Sequence, residues 1–163
     1  MKNPNYQKND TVLAIDCSGS MYTNDQVKTK TNINSAYDAQ FTKTCGRIEA
    51  GENFVSQMMG DDRTGIVLFE DLVTYELPLN SDQLTVKLAL QNVYDGGSTE
   101  FLPAIKSALG MFSEADLNDS RDNKRIILLS DGGDSRKADT RSYLSNLYNS
   151  HNPDPRNRVK IFT

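Results

Sequence analysis

Three short polar segments of the sequence carry the side chains that could do chemistry. They are DCSGS (residues 16–20), GGSTE (96–100) and SDGGD (130–134). Together they offer carboxylates and hydroxyls, with no histidine and, apart from Cys17, no thiol. Oxygen ligands alone are typical of a site for a hard divalent cation, and Mg²⁺, which keeps several waters, suits a few short ligands. The composition of these segments therefore predicts a site for a divalent cation.

The spacing within the first segment suits a single ion. An apolar run, residues 12–15, leads directly into Asp16, which predicts a buried strand that ends at this acid. Where the chain curls over the end of the strand, Ser18 and Ser20 can point at the same ion as Asp16, and Gly19 permits the tight turn. Hydroxyls in place of further carboxylates keep the charge of the site low, which leaves a bound cation attractive to an incoming acid.

Five apolar runs bounded by turn residues predict the strands of a sheet. Residues 12–15, 65–69 and 125–129 are rich in Val, Ile and Leu without alternation, as in strands buried on both faces, and 159–162 is a further apolar run without this composition. Residues 73–79 alternate and contain Pro78, which favours a half-exposed edge strand. Ligands of such sheets bind at the carboxyl ends of the strands, where two of the polar segments fall.

Helical patterns separate most of the strands. Apolar stripes at residues 48–59 and 101–112 predict two helices, a third is expected near 84–90 after a cap at Ser81 or Asp82, and a fourth near 143–148. Strands that alternate with helices favour right-handed crossovers. The sequence therefore predicts an α/β fold with a doubly wound, mostly parallel sheet, one antiparallel edge strand and helices on both faces.

The composition excludes several classes of protein. A chain of 163 residues, with 37% hydrophobic residues and 25% charged residues, fits one globular domain. Its net charge is −4 and its Lys and Arg residues are scattered, so we expect no nucleic-acid partner. No apolar run approaches the roughly 20 residues that cross a bilayer, so we expect no membrane insertion. Cys17 and Cys45 are too few for a zinc cluster, and the sequence leaves open whether they are bonded.

The polar segments also resemble a known family. DCSGSM (16–21), GSTE (97–100) and LLSDG (128–132) are similar, in order and context, to the three pieces of the metal-ion-dependent adhesion site of von Willebrand factor type A domains. DDRTGIVLF (61–69) resembles the start of that family's second strand, so the resemblance covers most of residues 11–163. It implies metal contacts from the hydroxyls of Ser18, Ser20 and Thr99, with Asp16 and Asp131 acting directly or through water. The implied ion is Mg²⁺, with Mn²⁺ or Ca²⁺ as alternatives, and a carboxylate from a protein ligand fills its open position.

The chain departs from the family pattern in two places. After a short N-terminal extension (1–10), the expected domain (11–163) carries a polar insertion at 22–44, which we interpret as a functional or mobile loop beside the metal face and as a candidate specificity element. The family also has a strand and a helix after the strand that begins at Val159. Their apparent absence would leave an open apolar edge, which a complementing C-terminal segment of the same polypeptide could cover.

Simpler interpretations apply to several residues. Thr99 could be the N-cap of the helix that begins at Phe101. Polar turns or solvated positions are expected for Asp61, Asp62, Glu100, Asp134 and His151, whereas Met58 and Met59 are expected in the core.

The sequence therefore predicts a metal-dependent, adhesion-type protein-binding module that is not an enzyme. An extracellular or cell-surface location is expected, with the cytoplasm as the alternative. An alternative function is that of a haloacid-dehalogenase-like phosphatase, since such enzymes also place Asp residues after their first buried strand and after a late strand. They need a second acid two residues after the first, where this chain has Ser18. Another is a structural domain of a larger surface protein, completed by a C-terminal segment.

Overall fold

The fold is built on a five-stranded sheet, seen in a computed structural model that describes residues 7–120, 122–149 and 151–163. In chain order the elements are β1 (Asn9–Asp16), α1 (Gly19–Asn24), β2 (Lys28–Thr29), α2 (Ala36–Gln40), β3 (Lys43–Thr44), α3 (Gly46–Ser56), β4 (Arg63–Phe69), β5 (Val73–Asn80), α4 (Gln83–Leu90), α5 (Phe101–Gly110), α6 (Glu114–Asn118), β6 (Asn123–Leu129), α7 (Lys137–Leu147), a 3₁₀ turn (Pro155–Arg158) and β7 (Lys160–Phe162).

The strand order is β5-β4-β1-β6-β7. Strand β1 is parallel to both β4 and β6, β7 is parallel to β6, and β5 pairs antiparallel with β4 at one edge. The predicted mostly parallel sheet with one antiparallel edge strand is therefore confirmed. Strands β1 and β4 are buried almost throughout, whereas β5 alternates between half-buried and exposed positions, as its sequence pattern predicts.

Each face of the sheet carries its own hydrophobic core. Because successive side chains of a strand point to opposite faces, Val12 and Ala14 of β1 pack in a core that includes residues of α5. Leu13 and Ile15 pack in a second core with residues of α3 and α4. Helices on both faces are thus confirmed, and the carboxyl end of β1 is held from both sides.

Several local predictions differ from the structure. Helix α3 ends at Ser56, so Met59 lies beyond it and is 65% exposed, contrary to its predicted place in the core. Helix α5 has Glu100 as its N-cap, so Thr99 is not the cap. Helix α7 begins at Lys137, earlier than predicted. The prediction missed its first turns because they are polar and carry no apolar stripe.

The insertion has more regular structure than its sequence indicates. Helix α1 runs into it, and β2 and β3 form a small antiparallel ribbon with α2 between them. The carboxylate of Asp25, just after α1, accepts hydrogen bonds from the backbone N–H groups of Gly46 (2.6 Å) and Arg47 (2.9 Å). The chain therefore returns to the end of α1 where α3 begins, so the segment between them leaves and rejoins the fold at one place.

Ion pairs connect neighbouring elements at the amino-terminal end of the parallel strands. Arg63 lies 2.6 Å from the fully buried carboxylate of Asp10 and 2.5 Å from that of Asp116, and its hydrogen bond to Asp10 raises its pKa. Asp62 is also buried and accepts a hydrogen bond from the N–H of Asn9 at 2.8 Å, so the prediction of a solvated turn is wrong for it. In the predicted extension 1–10, residues 1–6 lie outside the described residues, and Asn9 and Asp10 belong to β1.

No helix in the described parts of the chain is long and apolar enough to cross a membrane.

Candidate functional site

Asp16 connects two loops at the carboxyl end of the sheet. Its side chain is fully buried; Oδ1 accepts a hydrogen bond from the N–H of Ser18 at 2.7 Å and Oδ2 accepts one from the hydroxyl of Ser130 at 2.6 Å. Ser18 follows β1 and Ser130 follows β6. These strands are parallel neighbours, so their ends lie at the same edge. Both oxygens of Asp16 are thus already engaged by the protein.

Two hydroxyls and a second carboxylate continue the cluster toward the surface. The hydroxyl oxygens of Ser18 and Ser20 lie 3.2 Å apart, and Ser20 donates a hydrogen bond to Oδ1 of Asp131 at 2.9 Å. Ser18 is 1% exposed, whereas Ser20 and Asp131 are exposed. The structure therefore links four of the five predicted ligands in one chain of contacts, from a buried acid to an accessible one. Their role as metal ligands stays a prediction.

Thr99 reaches the same edge on the loop between α4 and α5. The N–H of Gly19 donates to the carbonyl of Gly97 at 3.0 Å, and the N–H of Gly96 donates to the carbonyl of Cys17 at 2.8 Å. Thr99 is 9% exposed, and its carbonyl accepts hydrogen bonds from Ser135. Backbone hydrogen bonds thus bring all three polar segments together.

A glycine is required in the Thr99 loop. Gly97 has a φ of +64°, in the left-handed region, and a Cβ at this position would lie 1.7 Å from Oε2 of Glu70. Glu70 follows β4, accepts a hydrogen bond from the hydroxyl of Tyr94, and its carbonyl accepts one from the N–H of Glu100. Glu70 was not predicted as part of the site, because a single acid after a strand does not indicate that a loop thirty residues later packs on it.

Two further polar residues of the site were not predicted. Asn24, at the end of α1, donates to Oδ2 of Asp131 at 2.5 Å and so fixes this carboxylate from the second side. Ser130 belongs to the third segment, but only the pairing of β1 with β6 shows that its hydroxyl reaches Asp16. Neither has a local signal, because both contacts join residues more than 100 positions apart.

Asp134 has a mainly local role. Its Oδ1 accepts hydrogen bonds from the N–H groups of Arg136 (3.0 Å) and Phe101 (3.4 Å). Its Oδ2 is buried and has no hydrogen-bond partner among the described residues. Glu100 lies 3.9 Å from Arg136 in an ion pair, so it is less solvated than predicted. Both acids tie the third segment to the start of α5.

Arg47 lies directly behind the site and is 5% exposed. Its guanidinium donates to the carbonyl of Asp16 at 2.6 Å, to the carboxylate of Asp95 at 2.6 Å and to the carboxylate of Asp25 at 2.7 Å. Burial acts to lower the pKa of Arg47, but the hydrogen bonds that it donates to Asp95 and Asp25 raise this pKa overall. Arg47 was not predicted to belong to the site, since it lies in a helix that otherwise shows an ordinary apolar stripe.

Both cysteines are free and buried. Burial raises the pKa of the Cys17 thiol to about 11, so the free thiol is protonated at neutral pH. Within the described ranges, no group of three or more His, Cys, Asp or Glu side chains could hold a metal. The side chains that the structure brings together at this edge are instead the carboxylates of Asp16 and Asp131 and the hydroxyls of Ser18, Ser20 and Ser130. Oxygen donors favour hard cations.

The sheet and its oxygen-lined edge define a doubly wound α/β domain that presents a polar site at the carboxyl ends of its central strands. The model of the von Willebrand factor type A domain family matches residues 11–134, which is most of the chain. The chain belongs to this family, as the three polar segments predicted. No curated protein sequence matches the chain.

Solved structures with the same fold come from several sources. A von Willebrand factor type A protein from Catenulispora acidiphila has a TM-score of 0.64 and 21% identity, over 95% of this chain and 32% of that one. Proximal thread matrix protein 1 from the mussel byssus, described with a zinc-occupied MIDAS motif, has a TM-score of 0.64 and 19% identity, over 95% of this chain and 37% of that one. The pilus adhesin SpaC from Lactobacillus rhamnosus GG has a TM-score of 0.56 and 18% identity, over 82% of this chain and 16% of that one. The chain thus spans much less than two thirds of each of these structures.

Proposed function

We propose that this domain is an adhesion-type, protein-binding module whose binding depends on a divalent cation. Ser18, Ser20 and Thr99 supply hydroxyl ligands, and Asp131 and Asp16 supply the negative charge. Mg²⁺ is the proposed ion, with Mn²⁺ and Ca²⁺ as alternatives. The proposal draws support from membership of the family and from two proteins of the same fold, one a pilus adhesin and one with a metal-occupied motif.

The spacing of the oxygen atoms carries the proposal. Mg²⁺ binds oxygens at about 2.0–2.1 Å in an octahedron, which places neighbouring ligands about 2.9 Å apart. The oxygens of Ser18 and Ser20 are 3.2 Å apart, and those of Ser20 and Asp131 are 2.9 Å apart. Three side chains from two loops are therefore already spaced as adjacent corners of such an octahedron. This spacing supports a site for a small hard cation at these three oxygens.

The two acids have different surroundings and so different proposed roles. Asp16 is buried with both oxygens hydrogen-bonded, so it orients Ser18 and acts on the ion through a water molecule. Asp131 is exposed, and the donors Ser20 and Asn24 aim its oxygens, so it is placed to bind directly or through one water.

A protein ligand would complete the site with a carboxylate. Two acids balance the charge of a divalent ion, so an incoming carboxylate meets a metal that is not surrounded by excess negative charge. The insertion exposes apolar side chains, and Tyr22, Ile33 and Tyr37 are 59%, 44% and 56% exposed. We assign them the selection of the ligand, because aromatic residues are enriched in the cores of protein interfaces.

The phosphatase alternative has little support. Its second acid is missing, since Ser18 stands two residues after Asp16, and membership of the von Willebrand factor type A family favours binding over catalysis. We also propose a location at the cell surface, because a pilus adhesin has the same fold. The cytoplasm is the alternative. Completion of the sheet edge at β7 by a C-terminal segment of the same polypeptide also stays a proposal.

A metal titration tests the proposed function. Isothermal titration of Mg²⁺ or Mn²⁺ into the protein is expected to show one site, which Asp131→Asn removes and Thr99→Ala weakens at least about tenfold, or about 1.4 kcal/mol. Asp61→Asn, a change of an exposed acid before β4, is the matched control and should bind like the wild type. Equal binding by wild type and Asp131→Asn would contradict the site, and turnover of an aryl phosphate that Asp16→Asn abolishes would favour the phosphatase.

A further inference from the structure

We infer that Arg47 is a positioning residue for the metal site, which holds the Asp16 loop and the Thr99 loop at a fixed separation. The inference rests on the proposed function and extends it to a residue that lies outside the ligand set. Arg47 belongs to α3 rather than to any of the three polar segments.

The guanidinium contacts both sides of the site from behind. One nitrogen donates to the carbonyl of Asp16 at 2.6 Å, and the other terminal nitrogen donates to Oδ1 of Asp95 at 2.6 Å. Asp95 immediately precedes the Gly96-Gly97 turn that carries Thr99 into place. A planar, forked donor holds two acceptors in a fixed relation, which a lysine cannot do. Arg47 thus sets the distance between the loops that carry Ser18 and Thr99.

The arginine is also held rigidly. Its Nε donates to the carboxylate of Asp25 at 2.7 Å, and Nη2 donates to the carbonyl of the same residue at 2.8 Å. The side chains of Arg47 and Asp95 are each 4% exposed, so this pair is shielded from solvent. Buried and fully hydrogen-bonded groups keep one geometry, which is the requirement for aligning metal ligands from a distance.

The same contacts connect the insertion to the metal loops. Asp25 directly follows α1 and Arg47 lies in α3, so the segment 26–44 of the insertion leaves and rejoins the fold beside this guanidinium. Within the insertion, the N–H of Val27 donates to Oδ2 of Asp95 at 3.3 Å. A ligand that shifts the insertion would therefore act on the acids that hold Arg47, and through them on the metal site.

Arg63 provides a matched control at the other end of the sheet. It also bridges two acids, at 2.6 Å from Asp10 and 2.5 Å from Asp116, and one of these acids is fully buried. If both arginines only stabilise the fold, substitutions at Arg47 and at Arg63 should have the same effect on metal affinity. If Arg47 positions the site, only substitution of Arg47 should lower metal affinity.

The test is an electron paramagnetic resonance titration of free Mn²⁺ into wild type, Arg47→Met, Arg47→Lys, Asp95→Asn and Arg63→Met, with folding checked by circular dichroism. We expect Mn²⁺ affinity to fall about 10–100-fold in Arg47→Met, the range for loss of groups that orient metal ligands. Arg47→Lys, which keeps the charge without the fork, and Asp95→Asn should lie between this variant and the wild type. Arg63→Met should bind as the wild type does.

The outcomes separate this inference from the proposed function. Absence of Mn²⁺ binding by the wild type would overturn the proposed function and this inference with it. Wild-type affinity in a folded Arg47→Met variant would overturn the inference alone. If Arg47→Met does not fold, wild-type affinity in both Arg47→Lys and Asp95→Asn would overturn it, as would an equal loss of affinity in Arg63→Met.

Discussion

At the scale of single residues, the site depends on side chains that restrain a loop as much as on those that face the ion. Gly97 is the sharpest case, because its φ of +64° and the carboxylate of Glu70 leave no room for a Cβ. Glu70 in turn follows β4, which pairs with β1. The position of Thr99 is thus set by a glycine two residues before it and by a strand end elsewhere in the sheet.

Replacing Gly97 by alanine is expected to destabilise the protein by about 1–3 kcal/mol, the usual cost of forcing a non-glycine residue into strained backbone. The new methyl group must also displace Glu70, so Mn²⁺ affinity should fall as Thr99 shifts. Urea unfolding and the Mn²⁺ titration measure the two effects. Gly133→Ala is the control, since nothing lies within 4 Å of a Cβ there. Equal unfolding midpoints for the two variants would show that the loop tolerates a side chain.

The residues of the site divide by whether their signal is local. Asp16, Ser18 and Ser20 were predictable because they follow an apolar strand at regular spacing, and the structure brings them to Asp131. Arg47, Asn24 and Glu70 could not be found in this way. Each acts through a contact with a distant segment, and an isolated charged or amide residue in a helix or turn has many uses.

At the scale of elements, long and strongly patterned segments were predictable and short ones were not. Strands β1, β4 and β6 each contain a short apolar run, and runs of this length favour a buried strand over a buried helix. Helices α2 and α6 have five residues each and ribbon strands β2 and β3 have two each, too few to show a period. These elements are held by caps and tertiary contacts, such as the capping box of Ser113 and Asp116 in α6.

The insertion leaves and rejoins the fold at one place, so its removal is expected to leave the domain intact. A variant in which two glycines replace residues 26–44 keeps the contacts of Asp25 with Gly46 and Arg47, because neither end needs to move. It loses the buried side chain of Phe41, so we expect a lower unfolding temperature with Mn²⁺ binding retained. Circular dichroism melts and the Mn²⁺ titration check this. Loss of metal binding in a folded deletion variant would show that the insertion contributes to the metal site itself.

At the scale of the whole molecule, the two ends of the sheet share an arrangement of charged side chains but differ in which polar residues are exposed. Each end has an arginine between two acids, with Arg47 at the carboxyl end and Arg63 at the amino end. At the carboxyl end Ser20 and Asp131 are exposed, whereas at the amino end Asp10 and Asp62 are buried. The topology was predictable from the order of strands and helices. The pairing of arginines with acids was not, because it depends on which loops meet at each end.

Acid is expected to loosen both ends of the sheet together. Hydrogen bonds from backbone N–H groups and from Arg47 outweigh the effect of burial and lower the pKa of Asp25, and Ser113 and Arg63 do the same for Asp116. A carboxyl whose pKa is lower in the folded state adds stability above its unfolded pKa of about 3.9 and loses that contribution as the pH falls through its folded value. Urea unfolding midpoints should therefore be steady near neutral pH and decline below about pH 4. Asp25→Asn and Asp116→Asn should each lower the midpoint at pH 7 and flatten this decline. A decline of the same steepness in both variants would mean that other carboxyls control the acid response.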